Sequence, residues 1–420
     1  MKNIGFYSFY LGIFLLPSAF SISAALLLIS AFIGFFINKN RLLEDRFNHL
    51  FFIGIIFLFL SSIINSFNII DLVNQNFSNP LIKHIGLFNW IPMILSFYGF
   101  QPYLESERMR KNTCLLFIFG TFPVFISILG QVFFEWHGPL RTLNGLIIWY
   151  QRPLYDGITR ITGLFNNQNY LGSWLILVWP FCLALFFKKE KLLIKKIIVF
   201  IFLILTSVSI IFCASRAAWL SLALSLPVLL GSKSTKIILP ILVISSITLL
   251  LFFIPIFGEG FQIFIQSIIP KGIWDNFNSE SYGVHLSRID LWKNAIEIIS
   301  KNPLFGTGAS SFPSLIEKNT GIWSSHPHSL PLELMVSYGI PATIFIISPF
   351  TIIICTAYFK TFIRNKINFK DNIFDRAWIT SLILLTVANL VDMTYFDGRI
   401  SIAGWTLLAG VRNITLKKNI

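Results

Sequence analysis

Residues 323–358 read WSSHPHSLPLELMVSYGIPATIFIISPFTIIICTAY. A polar loop carrying His326 and His328 passes within a few residues into a long apolar run. About 20 such residues suffice to cross a bilayer, so the run reads as a membrane span from 329 to 358. Gly339 and Pro341 predict a bend within it. Glu333 lies about one and a half turns inside, where a carboxylate costs several kcal/mol unless it faces a polar cavity or a partner. The stretch therefore places ionisable side chains where a loop meets a membrane helix.

The rest of the chain has the same character. Of 420 residues, 55% are hydrophobic and 12% charged, and the mean hydropathy is +0.72. Soluble domains carry about 25% charged residues, so a soluble globular fold is excluded. Only helices and closed barrels satisfy the backbone in lipid, and the alternation of a barrel is missing. The expected fold is an all-α polytopic membrane protein. About twelve spans are predicted, at 4–19, 20–37, 50–67, 81–100, 113–134, 168–187, 197–214, 217–230, 237–257, 329–358, 377–396 and 399–414. Residues 1–257 hold spans one to nine, 258–328 form one long outer loop, and 329–420 hold the last three. No cleavable signal is expected after Lys2.

A net charge of +14 would suggest nucleic acid in a soluble protein. Here it follows topology. With the N-terminus inside, the inner segments hold about 22 of the 33 Lys and Arg residues, the positive-inside pattern. An even number of spans puts both termini in the cytoplasm. The outer loop, roughly 70 residues long, exceeds what a connector needs. Within it Ser287-Arg288-Ile289-Asp290 forms a capping box that starts a helix, and Asn302-Pro303 ends it. Ile289, Trp292, Ile296 and Ile299 recur at helical spacing. Such a helix either lies along the outer membrane face or packs within the folded loop.

Six arginines break the positive-inside pattern: Arg141, Arg152, Arg160, Arg216, Arg288 and Arg399. Any one of them can snorkel to lipid headgroups, but six on the outer side point to a shared anionic ligand. Arg216 and Arg288 each follow a serine at a helix start, where free N–H groups and the helix dipole also favour an anion. Guanidinium pairs bidentately with phosphate, so two such corners facing one cavity would form a metal-free pyrophosphate clamp. His326 and His328 are candidate general bases as well as ordinary loop histidines. H-x-H without further ligands is weak evidence for zinc. Glu333 is equally a partner for a hydroxyl or an arginine. Asp392, Asp397 and Arg399 form a further polar cluster, readable as an internal ion pair. Gly306-Thr307-Gly308 lacks the context of a nucleotide loop. Cys114, Cys182, Cys213 and Cys355 lie in or beside apolar runs and read as packing thiols.

Four stretches resemble the O-antigen ligases and Wzy-type O-antigen polymerases. They are Arg160-Ile161-Thr162-Gly163-Leu164-Phe165 with Asn169, Ser215-Arg216-Ala217-Ala218-Trp219, Ser287-Arg288 through Leu291-Trp292 to Asn302-Pro303-Leu304-Phe305-Gly306-Thr307-Gly308, and His328-Ser329 with Gly339. The similarity is strongest over residues 159–341. It implies a periplasmic-side membrane glycosyltransferase of the bacterial inner membrane. Such an enzyme moves a glycan from an undecaprenyl-diphosphate carrier to an acceptor on a glycan or lipid, with no cofactor, metal or nucleic acid. Arg216 and Arg288 match the diphosphate-binding arginines of that family, and His328 matches its catalytic histidine. Arg141, Arg152, Arg160, His326, Glu333 and Arg399 are the further substrate-binding candidates. This chain departs from the pattern at Ser329, where asparagine is frequent, and at Ser337, where an acidic residue is common. Asp392 to Arg399 resembles a cyanobacterial subgroup, some of whose members have been labelled bicarbonate transporters. Polymerase and anion transporter are therefore the alternatives to ligase.

Overall fold

The computed structural model describes residues 2–39, 44–67, 84–154, 160–188, 192–231, 240, 286–364 and 372–416. Nearly all of the predicted span 237–257, and residues 258–285 of the long loop, lie outside these. The described helices are α1 (Lys2–Leu15), α2 (Phe20–Ile37), α3 (Arg46–Phe67), α4 (Ile91–Phe100), α5 (Glu107–Gly120), α6 (Phe122–Phe133), α7 (Gln168–Phe187), α8 (Leu193–Phe212), α9 (Arg216–Leu230), α10 (Arg288–Lys301), α11 (Phe312–Thr320), α12 (Leu330–Tyr358), α13 (Ile373–Val391) and α14 (Gly398–Leu416). A short antiparallel hairpin, β1 (Leu140–Thr142) with β2 (Ile147–Trp149), pairs Arg141 with Ile148.

The fold is an all-α polytopic membrane protein. Among the described residues, 7 helices are long and apolar enough to cross a membrane. Of the other predicted spans, 4–19 and 217–230 are the shorter helices α1 and α9, 399–414 is α14, and 237–257 lies almost wholly outside the described residues. The predicted span 81–100 is broken into a 3-10 turn, Gly86–Asn89, and α4, because Pro92 stands in the first turn of the new helix. The predicted span 113–134 is two helices with a break at Thr121, two residues before Pro123. Thr121 Oγ1 caps back to the Phe117 carbonyl at 2.7 Å and accepts from Trp174 Nε1 at 3.0 Å. The predicted span 377–396 stops at Val391, since Asp392 already has extended backbone.

The helices sort into pillars and periphery. α7 and α13 are each 78% buried along their apolar windows, whereas α8 is 17% buried and α2 22%. Isoleucine and phenylalanine cover α8 all round, so its exposed flank is the surface expected to face lipid. Small polar residues join the pillars: Ser381 Oγ donates to the Leu177 carbonyl at 2.8 Å, and Ser173 meets Thr394 at 2.9 Å. At the end of the bundle opposite the site, fully buried Arg110 is neutralised by Asp375 in the first turn of α13. Its Nε donates to Oδ1 at 2.8 Å and its Nη2 to Oδ2 at 3.0 Å.

The predicted bend in α12 is present at Gly339, with φ 86° and ψ 170°. Breaking a helix orphans backbone groups, and here the segment after α10 replaces their partners. Thr307 N donates to the Val336 carbonyl at 2.8 Å, Gly308 N to that of Ser337 at 3.0 Å, and Ile340 N to that of Pro303 at 2.8 Å. Only glycine fits at the crossing, because a Cβ on Gly339 would lie 2.2 Å from the Leu304 oxygen. Ser61 and Asn65 of α3 clamp the strap from the other side through the Phe305 carbonyl, at 2.6 and 3.0 Å. The Gly306-Thr307-Gly308 motif is thus a backbone splint for a broken membrane helix.

Candidate functional site

The first turn of α12, the start of α9 and the start of α10 lie at the same end of the bundle as the C-terminus of α13. Each approach is locally specified. Ser287 caps α10 as its spacing predicts: its Oγ accepts from Asp290 N at 3.2 Å and meets the Asp290 carboxylate at 2.6 Å. Ser215 occupies the N-cap of α9 without a side-chain cap bond. The preceding Ala214 takes a left-handed φ of 55°. Gly172 of α7 lets that corner close in, since a Cβ there would sit 2.9 Å from Ala218 Cβ.

The loop from Trp323 reaches α12 through another left-handed residue, His328 itself, with φ 51°. A non-glycine residue in that region is uncommon and costs of order 1 kcal/mol or more. The span predicted from 329 has Ser329 as its N-cap and Leu330 as its first helical residue. The left-handed turn aims the His328 ring away from the helix axis and towards α13. There Nδ1 lies 3.1 Å from Asp392 Oδ1.

Asp392 organises the cluster. It caps the C-terminus of α13, where the helix dipole disfavours a negative charge, and it is nearly fully buried. Three groups offset that cost. Met393 N donates to Oδ1 at 2.8 Å, the His328 ring occupies the same oxygen, and Arg288 Nη2 stands 3.9 Å from Oδ2. Burial pushes the carboxyl up, but the hydrogen bond and charge of His328, the Met393 N–H and Arg288 outweigh it. The net position is below the usual carboxylate range. With Nδ1–H donating to the carboxylate, the lone pair of His328 rests on Nε2, the atom left to accept a proton.

Arg216 lies within electrostatic reach of Arg288. Burial lowers the pKa of Arg288; Asp392 raises it and the like charge of Arg216 lowers it. The 3.9 Å contact with Asp392 is too long for a hydrogen bond, which leaves the Arg288 fork available to an anion. Arg160 joins this side of the site through its backbone neighbour, because Ile161 N donates to the Phe212 carbonyl at 3.3 Å beside the Arg216 corner. Arg152 is exposed, and its charge reaches Tyr170 in the first turn of α7, as do those of Asp392 and Asp397.

Other predicted residues are placed differently. Arg141 is exposed on β1, remote in the chain from the cluster. Arg399 is engaged internally: Nη2 meets Asp397 Oδ2 at 2.5 Å, and its guanidinium carbon lies 3.9 Å from the Phe165 ring centre. The ion-pair reading of Asp397 and Arg399 is therefore the observed one, and Asp392 separates from them to serve His328. Its role was hidden by the 64 residues between the partners; an aspartate closing an apolar helix was the available signal. His326 faces His328 edge-on, with ring centroids 4.3 Å apart, and its Nδ1 accepts the His328 backbone N–H at 3.3 Å. Burial, then the neighbouring His328, push its pKa down to about 4, so His326 is neutral at physiological pH. Glu333 is buried, and its Oε1 accepts from Ser337 Oγ at 2.9 Å.

The predicted apolar stripe of α10 is corrected. Leu291, Ala295, Ile298 and Ile299 are the buried face, packed with Phe312, Ile316 and Val336. Ile289 and Ile296 point outward. The helix docks on the bundle, and that docking presents Arg288 to Asp392.

Residues 200–347 match the family model described as O-antigen ligase. The matched stretch contains Arg216, Arg288, His326, His328 and Glu333, and it supports the O-antigen ligase family for this chain. Asp392 lies beyond it. No curated protein matches the chain.

Proposed function

We propose that this protein is a membrane glycosyltransferase of the ligase or polymerase type. It would transfer a glycan from an undecaprenyl-diphosphate carrier to an acceptor hydroxyl. The observation that carries the reading is the contact of His328 Nδ1 with buried Asp392, beside Arg288 and with Arg216 in electrostatic reach. Arg216 and Arg288 hold the diphosphate, with Arg160 and Arg152 at the edge of the same field. The acceptor oxygen attacks the anomeric carbon as His328 Nε2 takes its proton. The bond from that carbon to the diphosphate oxygen breaks, and the charge left on the carrier is stabilised by the arginines. Asp392 holds the tautomer and stabilises the imidazolium that forms. A single displacement of this kind inverts the anomeric centre.

The carrier's hydrocarbon tail has a fitting surface nearby. An apolar cleft of about 100 Å³ runs along α12, α13 and α14, from Leu330 and Leu334 to Phe350, and opens at exposed Leu390 and Thr351. The charged groups gather at one end of the bundle rather than at mid-depth, where transporters hold their substrates, and this favours the enzyme over an anion transporter. The positive-inside pattern assigns that end to the periplasmic face and both termini to the cytoplasm. Labelling Lys318→Cys from outside and Lys196→Cys from inside, in a Cys355→Ser background, tests the assignment.

The decisive experiment reconstitutes the purified chain in liposomes with a carrier-linked glycan and measures release of the carrier diphosphate. Arg288→Lys keeps the charge and loses the fork; it should cut transfer at least tenfold while the protein still inserts. Full activity in that variant would reduce the clamp to plain charge attraction, and no release by the unsubstituted protein would sink the reading. In a deletion strain, long unattached chains on the carrier indicate a ligase and single repeat units a polymerase.

A further inference from the structure

Beside the arginine field lies a second compartment of opposite character. A cavity of about 300 Å³ is walled by Trp90, His326, Glu333, Ser337, Tyr338 and Phe396, among others. That volume is at the small end of sites for organic ligands. Among the described residues its lining has no lysine and no arginine. Neutral His326 and a carboxylate replace them, so the cavity is unsuited to phosphate. It is suited to hydroxyl groups.

Three features argue for a sugar ring in particular. Glu333 is buried with Oε1 bonded to Ser337, while Oε2 has no hydrogen-bond partner among the described residues. A buried acceptor left open costs about 1–3 kcal/mol, and a hydroxyl-bearing ligand would remove that cost. Second, Trp90, Tyr338 and Phe396 supply aromatic surface, the kind of apolar body that packs against the C–H face of a pyranose. Trp90 is rigidly backed: its ring stacks on Tyr395 at 4.4 Å, and Tyr395 Oη donates to the Asn89 carbonyl at 2.7 Å. Third, the cavity adjoins the base. His326 is a wall of the cavity and an edge-on neighbour of His328. Phe396 belongs to the same turn as Asp392, so one loop contributes to both compartments.

We propose that this cavity is the acceptor subsite, holding a neutral, hydroxyl-rich monosaccharide unit, with Glu333 and Ser337 as its specificity-determining hydroxyl partners. The assignment rests on the glycan-transfer reading, and it divides the site into a cationic half for the donor diphosphate and an aromatic half without Lys or Arg for the acceptor sugar.

The test uses the full chain purified in detergent, with methyl glucoside, methyl galactoside and methyl mannoside as probes and inorganic pyrophosphate as the contrasting ligand. Binding is read by saturation-transfer difference NMR. At least one methyl glycoside should bind saturably, and Glu333→Gln should weaken it about tenfold or more while pyrophosphate binding stays within twofold. Ser325→Trp fills the cavity from an exposed loop position and should abolish glycoside binding with the fold intact; it decides the matter if Glu333→Gln fails to fold. Absence of saturable glycoside binding to the unsubstituted protein, or its survival in both variants, overturns the subsite. Neither result touches the transfer reading, which stands or falls on carrier release and on Arg288→Lys.

Discussion

His328 Nδ1 and Asp392 Oδ1 are 3.1 Å apart across 64 residues of chain, joining the start of α12 to the end of α13. The contact turns a loop histidine into an oriented base. Asp392→Asn keeps the size of the side chain but removes the charge and can favour the wrong tautomer. Transfer should fall by roughly 10²–10⁴-fold with donor binding nearly unchanged, measured as carrier release against pyrophosphate binding. A loss below threefold would mean that Asp392 merely anchors the α13 terminus.

The two histidines separate by role. His328→Ala removes the proton acceptor and should also cost about 10²–10⁴-fold in transfer, with the diphosphate still held by the arginines. His326→Ala removes a neutral ring whose Nδ1 accepts the His328 N–H. It should lower transfer only several-fold, through looser positioning of that backbone. Equal, mild effects of both changes would place proton transfer elsewhere, with Glu333 the next residue to test.

Stability should depend on pH through His326. Its folded pKa is about 4, against an ordinary value of 6.5. Between those values the unfolded chain binds more protons than the folded one, so stability rises with pH. The contribution is complete above about pH 6.5 and is lost progressively towards pH 4. Asp392, held below its ordinary range, contributes stability above that range and loses it only at still lower pH. Thermal unfolding in detergent between pH 4.5 and 7.5 should show a falling Tm on acidification, flatter in His326→Gln. An unchanged slope in that variant would assign the acid sensitivity to another group.

The splint at the bend of α12 predicts unequal glycines. Gly339→Ala enters a glycine-only backbone region at roughly 1–3 kcal/mol and meets the Leu304 oxygen as well. It should greatly reduce folded protein in the membrane. Gly321 is also left-handed, at φ 72°, but a Cβ there meets nothing within 4 Å. Gly321→Ala should cost only about 1 kcal/mol and retain activity. Comparable yields from both variants would show that the 303–308 strap is dispensable.

Composition and apolar run length alone determine that the chain is a helical bundle in a membrane, because each span must satisfy its own backbone and needs a minimum length. Local rules also specify the Ser287 cap, the Asn302 stop and the bend at Gly339, since each depends on residues within one or two turns. The four-residue spacing could not tell which stripe of α10 is buried. Ile289 and Leu291 are equally apolar, and only docking against Phe312, Ile316 and Val336 selects the second. Run length likewise did not show that the helices of 81–100 and 113–134 are interrupted near Pro92 and Thr121. The approach of Arg216 to Arg288 and the pairing of His328 with Asp392 depend on how distant helix ends meet, whereas Arg399 pairs with Asp397 only two residues away. Electrostatic partners act through space at a few ångströms, and the fold alone decides which charges come that close.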